Sequence, residues 1–301
     1  MPDFSPAKLQ LVRTIPKGRD WVYEPKLDGY RGLVGRPANY QITVESRNGK
    51  NLGRFFPELI RLAESLPVGT MIDGEIVSPS DSGISFTSLQ NRLMVPLAER
   101  AKVAAEMPVA YVVFDLLLEG SEDLRREVLT VRRRRLERLT RKLKHPAMQL
   151  ISQTADSDSA ALWLDDGVMA GIEGVVAKRN EPYPRPNVRR WQKVRRLSTM
   201  DVLVEGFAGD PSLPRLVVGL ERDGEVRTLG TTLPLSPEDA GRLQLLVPLA
   251  VRAERPVWSR FNSNRQDQWY RVPAGLVAEV AYSHLDDDSF RQQARFVRWR
   301  D

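Results

Sequence analysis

Hydrophobic and polar positions near the start of the chain follow the period of a β-strand. Over residues 21–28, apolar and charged side chains alternate, and this period of two predicts a strand that ends at Gly29. The charged face of this strand carries Glu24, Lys26 and Asp28. Lys26 therefore lies either at a solvated strand end or in a pocket, where it could serve as a nucleophile.

Strand-like and helix-like patterns then alternate up to about residue 197. A strand that enters an Asn-Gly turn is predicted at 40–49, and further strands are predicted at 71–77, 108–118, 171–179 and 189–196. Helices are predicted at 57–65, where proline occupies the first turn, at 85–94 with a cap at Ser85, and at 129–145. In the last helix we expect Val131, Leu136, Leu139 and Leu143 to be buried and the arginines to face solvent.

The pattern changes after residue 198, where short strands are separated by turn residues. Strands are predicted at 201–209, 214–221, 225–233 and 275–285, with one helical stretch at 236–247. About a hundred residues of this kind favour a small β-barrel. We therefore expect an α+β protein with two domains, residues 1–198 and 199–301.

Composition narrows the classes of function. The 301 residues include no cysteine and two histidines, which excludes disulfides and thiolate metal sites and disfavours a histidine-dependent triad. No apolar run is long enough to cross a bilayer and the N-terminus lacks a signal-peptide pattern, so we expect a cytoplasmic protein without a membrane partner. The first 200 residues contain 32 Lys and Arg against 24 Asp and Glu, whereas the remainder contain 13 against 15. A basic first part indicates either a polyanionic partner such as nucleic acid or a solvated, arginine-rich surface.

The charged residues also suggest a chemistry. A lysine, with a usual pKa of about 10.4, becomes a nucleophile where burial or nearby cations lower that value. Lys193 and Arg195 are such cations and share one strand face, while Asp73, Glu75 and Glu173 are candidate oxygen ligands for Mg²⁺ or Mn²⁺. Together they suit a nucleotide phosphate, although each feature alone also fits an ordinary strand end or hairpin.

Six short stretches, taken in order, carry a family resemblance. They are EPKLDGYR (24–31), SRNGK (46–50), DGEIV (73–77), YVVFDLL (111–117), EGVVAKR (173–179) and WQKVR (191–195). In this order they resemble the motifs of the ATP-dependent DNA ligases, within the covalent nucleotidyltransferase superfamily. The match is best to small bacterial ligases and to the ligase modules of bacterial end-joining proteins. The resemblance implies an ATP-grasp-like adenylyltransferase domain with antiparallel sheets, followed by an OB-fold β-barrel that binds DNA.

The resemblance also implies a reaction in three steps. Lys26 attacks the α-phosphate of ATP, which releases pyrophosphate and leaves AMP covalently bound to the lysine. The AMP then moves to the 5′-phosphate of nicked double-stranded DNA, and finally the 3′-hydroxyl attacks, sealing the strand and releasing AMP. A 5′-phosphate has no good leaving group, and AMP provides one.

Roles for the base and the sugar follow from the same resemblance. Glu24 is expected to contact the adenine edge and Phe114 to stack on the base. Arg31 and Glu75 are expected to hold the ribose. Arg47, which precedes the Asn-Gly turn, is expected to lie near the sugar or the DNA phosphate.

Roles for the phosphates and the metal follow in the same way. Lys193 is expected to hold the α-phosphate, and Arg195 stands where the family usually has a second lysine. Glu173, with Glu75, is expected to bind Mg²⁺ or Mn²⁺. Lys178 has the opposite strand parity to Glu173, so this parity argument leaves its role open.

The end of the chain departs from the family pattern. The last family motif usually carries an Asp-Lys pair that addresses pyrophosphate, whereas FRQQARFVRWRD (290–301) contains no lysine. This puts the efficiency of self-adenylylation in question. An RNA ligase or a GTP-using capping enzyme is the alternative enzyme, and a weakly catalytic DNA-binding protein on a ligase scaffold is the alternative of another class. As a ligase, the protein is expected to be a nucleoid-associated monomer that works with bacterial repair or end-joining proteins.

Overall fold

A computed structural model describes residues 4–37, 41–81, 83–120, 122–165, 171–254, 268–286 and 289–300. The chain forms two compact units, Met1–Arg195 and Arg196–Asp301. The change in sequence pattern predicts a domain boundary at residue 198, and the structure divides the chain after Arg195.

The first unit contains twelve strands and five α-helices among the described residues. The strands are β1 (Leu9–Leu11), β2 (Trp21–Leu27), β3 (Tyr30–Arg36), β4 (Thr43–Ser46), β5 (Thr70–Val77), β6 (Pro79–Ser80), β7 (Gly83–Ile84), β8 (Ala110–Glu119), β9 (Glu122–Asp123), β10 (Met148–Leu150), β11 (Ile172–Arg179) and β12 (Trp191–Arg195). The helices are α1 (Pro57–Ser65), α2 (Phe86–Met94), α3 (Arg100–Glu106), α4 (Leu129–Leu143) and α5 (Ser157–Ala161).

Two main sheets organise this unit. The first sheet has the order β1-β12-β11-β2, and the second has the order β10-β8-β5-β3-β4, with β9 added beside β8. Each sheet is antiparallel except for one edge strand. In the first sheet β1 runs parallel to β12, and in the second sheet β10 runs parallel to β8. The predicted antiparallel, ATP-grasp-like architecture is confirmed.

Local signals account for several of the observed boundaries. The predicted helix at 57–65 is α1, with proline in its first turn. The predicted helix at 85–94 is α2, where the side chain of Ser85 accepts a hydrogen bond from the backbone N–H of Ser88. The predicted strand at 108–118 is β8, whose central residues are buried.

The arginine-rich helix α4 differs from the expectation at three positions, because Val131 and Leu143 are only partly buried and one arginine is buried. Leu136 and Leu139 are buried as predicted, but Arg132 is also fully buried. Its guanidinium donates two hydrogen bonds to Asp115, at 2.7 and 2.9 Å, and further bonds to the backbone carbonyls of Glu127 and Glu181. A buried arginine persists only where its charge and donors are matched in this way.

Three apolar layers hold the sheets in place. The largest packs α1, α2 and α4 against the outer face of the second sheet. A second layer, which includes Leu33, Leu117 and Trp191, lies between the two sheets. A third covers the outer face of the first sheet near Tyr23 and Ala160. The inner faces of both sheets therefore line a cleft whose walls are fixed from behind by packed cores.

The second unit is an OB-fold β-barrel, as predicted. Its strands are β13 (Ser198–Ala208), β14 (Arg215–Arg222), β15 (Glu225–Thr231), β16 (Val251–Arg252), β17 (Trp269–Arg271), β18 (Val277–Tyr282), β19 (Leu285–Asp286), β20 (Ser289–Phe290) and β21 (Arg295–Arg300), and its short helix is α6 (Gly241–Gln244). The long strand β13 pairs with β18 through its first half and with β14 and β17 through its second half. This sharing of one strand curls the sheet around its own apolar core.

Within the described ranges, the structure contains no helix with both the length and the apolar character needed to span a membrane.

Candidate active site

A pocket of about 420 Å³ opens between the two sheets of the first unit. Seven of its lining residues come from six different strands and carry charged or aromatic side chains: Glu24, Lys26, Arg31, Glu75, Phe114, Lys178 and Trp191. The first five of these were predicted to contact a nucleotide or to react with it.

The strand register explains how the first sheet presents its charges. Lys26 in β2 lies opposite Gly174 in β11, which in turn lies opposite Arg195 in β12. Two residues along, Glu24 and Lys193 flank β11 in the same way. Residues opposite each other across a sheet share a face, so both cations and Glu24 lie on the same side of the sheet as Lys26.

A β-bulge in β11 overturns the parity argument about Lys178. The register shifts between Ile172 and Gly174, which makes Glu173 an extra residue with no partner opposite it in β2. Glu173 therefore contacts Lys26, and Lys178 lines the same pocket as Lys26, although their strand parities differ. The same device places Phe114, because the pairing of β5 with β8 shifts register around it.

Gly174 makes the bulge possible. Its φ of +155° is uncommon for L-residues, and a Cβ at this position would lie 2.0 Å from the carbonyl oxygen of Val194. Only glycine allows β12 to approach this closely.

At one end of the pocket, Lys26 lies among charges. Its Nζ donates a hydrogen bond to Oε1 of Glu173, and both side chains are largely buried. Burial and the charges of Arg195, Lys26 and Arg47 lower the pKa of Lys193 to about 8, despite the opposing effect of Glu173. Cations thus crowd this end of the pocket, as a polyphosphate site requires. Arg47 itself is exposed in the turn that follows β4.

At the other end, Glu24 is held as a buried carboxylate. Its exposed fraction is 2%, and its Oε2 forms an ion pair with Nζ of Lys178 at 2.7 Å. Its Oε1 accepts a hydrogen bond of 3.1 Å from Nε2 of Gln153. The ammonium of Lys178 also lies 4.5 Å from the ring centre of Phe114 and 4.1 Å from that of Trp191.

Arg31 is fixed by a network of buried polar groups. Its guanidinium binds both oxygens of Asp73, at 3.0 and 2.6 Å, and donates to the carbonyl oxygen of Ala7. The hydroxyl of Tyr183 donates to Asp73 at 2.6 Å and accepts from Arg31 and from the backbone N–H of Ala7. Burial would lower the pKa of Arg31, but the carboxylate of Asp73 more than reverses this, so the pKa is raised. Arg31 thus lies beside the pocket with most of its donors already engaged.

Glu75 lies opposite Arg31 on the second sheet, where burial disfavours the charged form of its carboxylate. Burial raises its pKa to about 7, although Lys26 and Arg31 oppose this rise. No group of three or more His, Asp or Glu side chains suited to a metal occurs among the described residues. Mg²⁺ is, however, often held by one or two carboxylates together with waters and substrate phosphates. Glu75 and Glu173 fit an ion held in that way.

Sequence reasoning missed three residues of the site. Regular alternation from Val176 places Lys178 on the same face as Glu24 and Lys26. The comparison with Glu173 fails because the bulge lies between the two residues. No local pattern marks Gln153 or Tyr183, since their partners lie 129 and 110 residues away in the chain.

The fold and the pocket together define a two-domain nucleotide-binding protein, with a largely buried lysine in a pocket between two sheets and an OB-fold later in the chain. A family model described as the ATP dependent DNA ligase domain matches residues 6–195. The chain belongs to the ATP-dependent DNA ligases, and its activity is to seal nicks in DNA.

Three similar proteins support this assignment. DNA ligase C1 of Mycolicibacterium smegmatis is 33% identical over 98% of this chain and 88% of its own length. The multifunctional non-homologous end joining protein LigD of Pseudomonas aeruginosa is 30% identical over 98% of this chain, which corresponds to 35% of LigD. A solved structure of mycobacterial DNA ligase D, complexed with ATP and MES, is 25% identical with a TM-score of 0.51, covering 97% of this chain and 94% of the other. Two of the three, DNA ligase C1 and DNA ligase D, are named as DNA ligases, which favours that function over the RNA ligase or capping enzyme alternative.

Proposed function

We propose that Lys26 is the nucleophile of this ligase and carries AMP during the reaction. The observation that supports this most directly is the position of its Nζ, which lies in the pocket in contact with Glu173 and beside the cations Lys193 and Arg195. A solvated strand end, the other interpretation of the same residues, would leave the lysine exposed, whereas its side chain is 16% exposed.

In the first step, Nζ of Lys26 attacks the α-phosphorus of ATP. A nitrogen–phosphorus bond forms, the bond from the α-phosphorus to the bridging oxygen breaks, and pyrophosphate leaves with that electron pair. The ammonium must first lose a proton, and Glu173 can accept it because its Oε1 already receives a hydrogen bond from Nζ. Lys193 and Arg195 would offset the charge that develops on the phosphate oxygens.

The opposite end of the pocket suits the nucleoside. Glu24 would accept a hydrogen bond from the adenine edge, and Phe114 offers a ring face for stacking. Arg31 and Glu75 border the space between base and phosphate, where a ribose would lie. Arg47 would contact the sugar or a DNA phosphate from its exposed turn.

Glu75 and Glu173 would hold a divalent cation, Mg²⁺ or Mn²⁺, which supplies charge neutralisation for the phosphates when bound. Burial raises the pKa of Glu75, and a bound dication would favour the ionised form of this carboxylate.

In the second and third steps, AMP moves from Lys26 to the 5′-phosphate at a nick, and the 3′-hydroxyl then displaces AMP. The OB-fold, residues 199–301 in the sequence-based division, would contact the DNA, as such barrels bind polynucleotides. We propose that the protein acts as a monomer on chromosomal DNA in the bacterial nucleoid. Its similarity to LigD supports repair or end-joining proteins as partners.

The test separates the first step from the last. Wild-type protein is incubated with labelled ATP or GTP and Mg²⁺ or Mn²⁺, and the covalent adduct is measured before nicked DNA is added. We expect an adduct with ATP that nicked DNA discharges, and no adduct with ATP in Lys26→Ala. Lys26→Ala should still seal a nick that already carries AMP on its 5′-phosphate.

Lys102→Ala provides the matched control, because Lys102 is exposed on α3 and pairs only weakly with Glu106, at 3.9 Å. An adduct that persists in Lys26→Ala would mean that another group is the nucleophile. A wild-type adduct with GTP alone would contradict the use of ATP, and no wild-type adduct at all would favour the weakly catalytic DNA-binding alternative.

A further inference from the structure

A short segment, residues 151–154, connects the two sheets at the Glu24 end of the pocket. Its first residue, Ile151, donates a backbone hydrogen bond of 3.0 Å to Val113 in the second sheet. Its last residue, Thr154, exchanges two backbone hydrogen bonds, of 2.8 and 3.0 Å, with Tyr23 in the first sheet. Both ends are therefore anchored, and what lies between them is held at a fixed place relative to both sheets.

The side chain of Gln153, between these anchors, reaches the neighbouring residue Glu24. Its Nε2 donates to Oε1 of Glu24 at 3.1 Å, and Lys178 lies 2.7 Å from the other carboxylate oxygen. A carboxylate can only accept hydrogen bonds, so each oxygen of Glu24 faces a donor from a different element of the fold. Such matching is needed because Glu24 is 2% exposed, and a buried carboxylate without partners is very costly.

These contacts set the direction in which Glu24 faces the pocket. Lys178 alone would leave the carboxylate free to rotate about a single ion pair. Gln153 adds a second fixed point, on a segment that is tied to both sheets. A displacement of about 1 Å in a positioning group can cost about a hundredfold in rate.

We propose that Gln153 is a positioning residue that makes Glu24 selective for the 6-amino group of adenine. The exocyclic amine of adenine donates a hydrogen bond, whereas guanine presents an oxygen acceptor at the same place. A fixed carboxylate therefore attracts the first and repels the second. This inference rests on the proposed role of Glu24 in contacting the base.

The test compares ATP with purine riboside 5′-triphosphate, which lacks the 6-amino group. The covalent adduct is measured as kcat/KM for each triphosphate in wild type and in Gln153→Leu, which keeps the size of the side chain and removes its donor. We expect wild type to prefer ATP, and we expect Gln153→Leu to lose about tenfold of this preference, through KM for ATP.

Gln149→Leu is the control, because Gln149 is exposed on β10 and of the same type. Gln153→Glu gives an independent variant if the leucine protein does not fold. It places two carboxylates together at neutral pH, and its preference for ATP over the analogue should recover as the pH falls and the new carboxyl group becomes a donor.

Equal losses with both triphosphates would overturn the proposal, since a merely structural role would affect both alike. A wild-type protein without any preference for ATP over the analogue would overturn it as well. Failure of the Lys26 proposal would give a different result. The adduct would then persist in Lys26→Ala, whatever the ratio of the kcat/KM values for ATP and the analogue.

Discussion

Replacement of Lys193 by methionine should make the protein more stable and prevent it from forming the covalent adduct. The pKa of Lys193 falls from 10.5 to about 8, because the side chain is partly buried and lies near Arg195 and Lys26. The charged form of Lys193 therefore lowers the free energy of unfolding. The same charge is available to the phosphate that Lys193 is proposed to bind. Methionine has a stem of similar size and removes the charge.

The magnitude follows from the pKa. At 1.36 kcal/mol for each pKa unit, the fall in the pKa of Lys193 corresponds to about 3 kcal/mol. The side chain is only half-buried, so solvent screening reduces this to about 1.5 kcal/mol. That gain should raise the melting temperature of a domain of this size by about 3–6 °C.

The pH dependence identifies the cause. Between pH 8 and 10.5, the folded state binds fewer protons at Lys193 than the unfolded chain does, so the stability of the wild type rises with pH. The destabilisation of the folded state by the charge of Lys193 is complete below pH 8 and disappears above pH 10.5. The advantage of Lys193→Met should therefore fall from about 1.5 kcal/mol at pH 7 to about 1 kcal/mol at pH 9.

Thermal and urea unfolding at the two pH values measure this difference. Lys102→Met, at an exposed lysine on α3, should change the free energy of unfolding by less than about 0.5 kcal/mol at either pH. The reasoning is refuted if Lys193→Met is less stable than the wild type at pH 7, or if its advantage does not shrink at pH 9.

Two further predictions concern stability. Tyr183→Phe should lower the free energy of unfolding by about 1–3 kcal/mol, because Asp73 loses a donor and the N–H of Ala7 loses its acceptor; urea unfolding that matches the wild type would contradict the network. Gly174→Ala should cost more than about 3 kcal/mol, since its Cβ would collide with the carbonyl oxygen of Val194. Gly49→Ala, at a φ of +73° in open space, should cost only about 1–2 kcal/mol, so equal melting temperatures for the two alanine variants would rule out the collision.

Much of the secondary structure could be predicted from local patterns. Strand β2 and helix α1 lie where alternation and a first-turn proline placed them, because both signals depend only on neighbours in the chain. The burial of Arg132 could not be predicted in this way. An arginine is ordinarily exposed, and its burial on α4 depends on Asp115, which comes from β8, and on two backbone carbonyls.

The sequence by itself determined the family and the expected nucleophile, because six short motifs in a fixed order are recognisable without any structure. Only the tertiary structure decided which side chains share the pocket with Lys26. The bulge at Glu173 brings this carboxylate to Lys26 against its strand parity, and a segment far along the chain brings Gln153 to Glu24. The physical reason is that side-chain periodicity is a local property, whereas sheet register and long-range hydrogen bonds form only when distant strands meet.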